Sequence, residues 1–122
     1  MAGFKKFEEI KAWQKARKTT KKVYEITSDG KFAKDFSLRD QIRRSCVSIM
    51  ANIAEGQGRN SDKEFANFLN FAHGSLAETQ SHLYIALDLD YLNQIEFKEI
   101  YDLLEEIAKM TMALMKHLRN IG

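Results

Sequence analysis

Residues 61–89 read SDKEFANFLNFAHGSLAETQSHLYIALDL. Ser61 followed by Glu64 has the spacing of a capping box, which satisfies backbone N–H groups that lack partners in a helix's first turn. From there Phe65, Phe68, Leu69, Ala72, Leu76, Thr79, Leu83, Ala86 and Leu87 share one face at helical spacing. Phe71, Ile85 and Leu89 fall on the opposite side, with Glu78 and His82 between them. A helix that is apolar on two sides must bury both. A small bundle offers one core, so the second face argues for self-association, and Phe71, Ile85 and Leu89 are the candidate oligomer interface.

The segments on either side repeat the helical pattern. Upstream, Glu55-Gly56-Gln57-Gly58-Arg59-Asn60 is a break, with Gly56 or Gly58 expected to cap a helix that ends there. That helix is expected from Leu38, after Ser37 as N-cap, to Gly56. Its stripe is Leu38, Ile42, Cys46, Ile49, Met50 and Ile53, widened by Val47 and Ala54. Arg43 falls inside the widened face, and an arginine there needs a partner for its charge. Arg44 lies 100° further round and is freer to meet solvent or phosphate. Downstream, Asn93 is a candidate N-cap for a helix over 94–120 with Phe97, Ile100, Leu104, Ile107, Thr111, Leu114, Leu118 and Ile121 on one stripe.

The first helix is expected over 7–27, closed by Ser28-Asp29-Gly30 with Gly30 in the left-handed region. Counting 100° per residue from Ile10, residues Trp13, Arg17, Thr20, Val23 and Tyr24 cluster on one side. Lys11, Lys15, Lys18 and Lys22 fall opposite, with no acidic i,i+4 partner among them. Residues 1–61 hold 14 Lys/Arg against 7 Asp/Glu, a net of +7, whereas residues 62–122 hold 5 against 10, a net of −5. A basic half suits an anionic partner such as nucleic acid, or else an acidic helix packed beside it.

Composition excludes several classes. A chain of 122 residues with 44% hydrophobic and 30% charged residues is expected to form one globular domain, 1–122. It has no proline and six glycines, which disfavours a turn-rich β fold. No apolar run approaches the ~20 residues of a membrane span. The opening residues lack the apolar core of a signal peptide, and the single Cys46 forbids an internal disulfide, so a cytoplasmic location is expected. The glycine-rich break follows a helix and lacks a third glycine, so it is no dinucleotide fingerprint, and no Walker motif is present. No glutamate has a histidine three residues later, so the ligand pattern of di-iron bundles is missing. Glu78 and His82, four apart, suit a hydrogen-bonded pair better than a metal site. Cys46 on an apolar stripe suits an inert small hydrophobe. No metal, no cofactor and no catalytic residue are expected.

Leu38 to Gly56, with Ser61-Asp62-Lys63-Glu64-Phe65 and Gly74-Ser75-Leu76-Ala77-Glu78, resembles one family over nearly the whole chain. These are the four-helix-bundle proteins first noticed as open reading frames in intervening sequences of bacterial 23S ribosomal RNA genes. Phe7-Glu8-Glu9-Ile10-Lys11-Ala12-Trp13-Gln14-Lys15-Ala16 and Leu83-Tyr84-Ile85-Ala86-Leu87-Asp88-Leu89 fit it too; Ser45-Cys46, where a small apolar pair is usual, departs from it mildly. The resemblance implies a bundle that assembles as a homopentamer and has no established enzymatic activity. It also implies kinship with the accessory variability proteins of diversity-generating retroelements, which bind nucleic acid and a reverse transcriptase. Arg43, with Glu55 and Glu78 as candidate carboxylates, then fits a buried ion pair that sets helix register.

The combined expectation is an all-α, antiparallel up-down-up-down four-helix bundle. It is a non-catalytic homo-oligomer that binds RNA or DNA through Lys11, Lys15, Lys18, Lys22, Arg44 and Arg59. The alternative is a protein-interaction scaffold with no nucleic-acid ligand.

Overall fold

A computed structural model of the chain describes residues 3–121, the last by its backbone alone, so the side chain expected to extend the final stripe at Ile121 lies outside the described residues. The chain is all-α, with no strand among those residues. A 3-10 turn, Phe7–Glu9, leads into α1, Lys11–Ile26; then come α2, Gly30–Lys34, α3, Phe36–Gly58, α4, Asp62–Asp88, and α5, Gln94–Ile121.

The ends of the helices show which residues stop them. Gly30 has φ +65° and begins α2 as α1 is left behind. The N-cap of α3 is Asp35, not the expected Ser37: its carboxylate accepts from Leu38 N at 3.1 Å. The same carboxylate accepts from Tyr91 Oη at 3.0 Å, tying the start of α3 to the α4–α5 turn. Neither Gly56 nor Gly58 is the left-handed terminator expected of them; α3 runs on to Gly58, and Asn60 takes φ 57° instead. Asn and Asp tolerate that region because their short polar side chains bond locally, and Asp90 does the same after α4 at φ 60°. Ser61 caps α4, accepting from Glu64 N at 3.3 Å. The reciprocal box forms at α5, where Asn93 accepts from Glu96 N at 2.8 Å and Glu96 accepts from Asn93 N at 3.0 Å.

Four long helices pack around one core. α1 packs on α3 and α5, and α4 packs on the same two. Side-chain contacts between neighbouring helices have numbers that rise on one helix while they fall on the other. Ser45 meets Thr79 at 2.8 Å and Ser48 meets Ser75 at 2.9 Å across α3–α4. Thr20 meets Cys46 while Tyr24 meets Arg43 across α1–α3. Gln80 meets Glu105 and His73 meets the carbonyl of Ala108 across α4–α5. Ile42, Ile49, Ile53, Leu69, Leu76, Leu83, Leu104 and Ile107 fill the centre, the apolar burial that dominates the stability of such a domain. Phe32 of α2 is buried at one end against Tyr91, ring centroids 5.4 Å apart.

Candidate nucleic-acid interface

The face α1 turns inward differs from the one expected. Ala12, Ala16, Thr19, Val23 and, just past the helix, Thr27 are buried. Ile10 is buried too, but with φ −78° and ψ 117° it is the N-cap and stands outside the helix. Counting from it rotates the apparent stripe. Trp13, Arg17 and Tyr24 therefore lie along the α3 side of α1 and its surface, not in the core.

That rotation splits the lysines. Lys15 pairs with Glu106 and Lys22 with Glu99, both on α5. The hydrogen bond to Glu99, then its charge, hold the Lys22 ammonium above the usual lysine range. Lys11 and Lys18 are exposed and have no ion-pair partner among the described residues, and the same holds for Arg17 and Lys21, two cations that counting from Ile10 leaves out of the basic face. Gln14, Arg17, Lys18 and Lys21 line a shallow groove with Trp13. Arg44 is exposed on α3. The Arg59 guanidinium is engaged twice, 2.9 Å from Glu55 and 4.9 Å above the ring of Phe68.

Arg43 does not form the expected ion pair with Glu55 or Glu78. Its Nε donates to Thr27 Oγ1 at 2.8 Å, an Nη donates to Ser28 Oγ at 3.4 Å, and the guanidinium lies 4.6 Å above the ring of Tyr24. The reason is direction: Arg43 faces α1, whereas Glu55 pairs with Arg59 and Glu78 pairs with His82 at 3.2 Å. Arg43 thus fastens α3 to the end of α1 through hydroxyls and an aromatic face.

The second face of α4 is open in the monomer. Phe71, Ile85 and Leu89 are 56%, 44% and 48% exposed. Gly74 lies in the same helix with nothing within 4 Å of the Cβ it lacks. Cys46 is fully buried beside Thr20, and burial pushes its thiol up to about 11, which keeps it protonated and unreactive at neutral pH. Among the described residues no group of three His, Cys, Asp or Glu side chains is placed to hold a metal, and no helix is long and apolar enough to cross a membrane.

These features define a class: a small helical protein with one basic outer helix and an apolar face left uncovered. Residues 8–113 match the family model of the 23S rRNA-intervening sequence proteins, and the chain belongs to that family. A crystal structure from Bacteroides thetaiotaomicron VPI-5482, described as a protein of unknown function from the S23 ribosomal protein family, is similar to it. The two share 27% identity over 86% of this chain and 98% of that one, with a TM-score of 0.79. No curated protein matches the chain.

Proposed function

We propose that this chain is a non-catalytic, self-associating four-helix bundle in up-down-up-down order that binds RNA or DNA through backbone charge. The antiparallel pairings of α1, α3, α4 and α5 support the topology. The observation that carries the binding reading is the outward face of α1, where Arg17, Lys18 and Lys21 stand without carboxylate partners among the described residues. Uncompensated cations along one helix release counterions when they meet phosphates, and that release drives association. The exposed Phe71, Ile85 and Leu89 support self-association. α1 and α4 lie across the bundle from one another, so assembly through α4 leaves the basic face of α1 outward. A ring would repeat that face and multiply a weak contact. Family membership supports a homopentamer as the ring.

The test is Lys18→Glu combined with Lys21→Glu. Lys15 and Lys22 are unsuitable because reversing them sets two carboxylates together against α5. The double variant is expected to keep the native mass of the assembly and lose salt-sensitive binding to a structured RNA. Undiminished affinity overturns the nucleic-acid reading. The second reading, a scaffold for another protein, is favoured by the neutralisation of Lys15 and Lys22. One stoichiometric protein co-purifying, with no salt-sensitive RNA binding, would select it.

A further inference from the structure

The groove on α1 holds the chain's one tryptophan. Trp13 is half-buried, packed in part against the core, with its remainder bordering a groove of about 450 Å³. Its ring is held in place before any ligand arrives. Phe7 packs edge-on against it at 5.0 Å, and Gln14 donates to the carbonyl of Glu8 at 2.7 Å, which ties the 3-10 turn to α1. The guanidinium of Arg17 stands 5.8 Å from the centre of the indole. That is farther than stacking contact, and the exposed Arg17 side chain needs little rotation to admit a flat ring between the two. Lys18 and Lys21 flank the groove, and its lining contains no carboxylate.

We propose that this groove binds unpaired nucleotides, with a base stacked on Trp13 beneath Arg17 and the flanking phosphates on Lys18 and Lys21. The inference rests on the nucleic-acid reading above and narrows it from any phosphate backbone to a single-stranded one. A duplex keeps its bases stacked inside, so it engages only the cations and leaves the indole without a partner. An unpaired base offers a flat π-face, which aromatic side chains and arginine planes both recognise without regard to sequence. Lys18 and Lys21, three residues apart on one helix, have Cβ atoms about 5–6 Å apart, so their flexible side chains can reach neighbouring phosphates along an extended strand. An acidic protein surface would satisfy the cations but supply no ring for the indole.

Because Trp13 is the only tryptophan, its emission reports this site alone. The experiment titrates the full chain with a short labelled oligouridylate, following tryptophan emission and label anisotropy together, and repeats the titration with a duplex of equal length. Emission is expected to be quenched in step with the anisotropy, and the single strand to bind more tightly than the duplex. Trp13→Leu is expected to weaken single-strand binding roughly ten-fold or more and leave duplex binding unchanged. Binding with unchanged emission and equal affinity for the duplex overturns the stacking site while the backbone-charge reading stands. No binding of either probe overturns both. Should Trp13→Leu fail to fold, the emission of the unaltered chain still decides.

Discussion

The Cβ that Gly56 lacks would stand 2.7 Å from Cβ of Phe68. Gly56 is buried inside α3, so its role is to let α4 come close, not to end a helix. Phe68 Cβ is fixed to the α4 backbone and cannot swing aside. Gly56→Ala is therefore expected to cost about 1–2 kcal/mol, an overpacking penalty larger than alanine's helix preference. Gly58→Ala, with open space around it, is expected to be neutral or to stabilise by up to about 1 kcal/mol. Urea midpoints of the two variants compare them directly, and equal midpoints would contradict the close approach.

Arg43 carries the second prediction. Its bonds to Thr27 and Ser28 and its place over Tyr24 require a planar, multiply donating group. Arg43→Lys is expected to destabilise by about 1–2 kcal/mol, whereas Glu55→Gln and Glu78→Gln are expected to change stability by under about 0.5 kcal/mol. Thermal unfolding distinguishes this from an ion pair across α3 and α4. Equal losses in Arg43→Lys and Glu78→Gln would restore the ion pair.

The positions that periodicity reads well and those it misses differ in kind. The four long helices are legible because their stripes recur over many turns, and the stripe of α4 is buried nearly as written. α2 is invisible because five residues contain too little period to detect, although Phe32 within it is buried. The register of α1 is misread because Ile10 is buried from outside the helix. The partners of Lys15 and Lys22 lie 91 and 77 residues away, beyond the reach of a search at i,i+4. The groove at Trp13 is legible only in its parts: Trp13, Arg17 and Lys21 share a side at i, i+4 and i+8, but that side is read as the inward one, and the burial of Ala12, Ala16, Thr19 and Val23 turns it outward.

The uncovered face of α4 gives the third prediction. Phe71→Lys and Ile85→Lys replace exposed side chains, so each is expected to leave the monomer's stability within about 0.5 kcal/mol. A charge placed in a desolvated contact is costly, so native mass spectra are expected to shift from the assembly towards single chains. An assembly of unchanged mass in both variants would remove α4 from the interface.

The fourth prediction concerns alkaline pH. Lys22 is held above its usual range by the hydrogen bond to Glu99, Tyr91 by the one to Asp35, and Tyr101 by the one to Tyr84. Burial raises the Cys46 thiol from 9.0 to about 11. Each group keeps its proton longer in the folded chain than in the unfolded one. The stability this adds is therefore complete below the ordinary values of 9.0, 10.0 and 10.5 and is lost as pH rises through the raised ones. No loss is expected between pH 7 and 8 from these groups, and a progressive one from about pH 9 upward. Cys46 is the most deeply buried of the four, and its share is on the order of 2–3 kcal/mol. Urea midpoints at pH 8 and pH 11 should therefore differ in the unaltered chain and differ less in Cys46→Val, which has no thiol to ionise. A variant that loses stability as steeply as the unaltered chain would show that the buried thiol is not what the rising pH attacks.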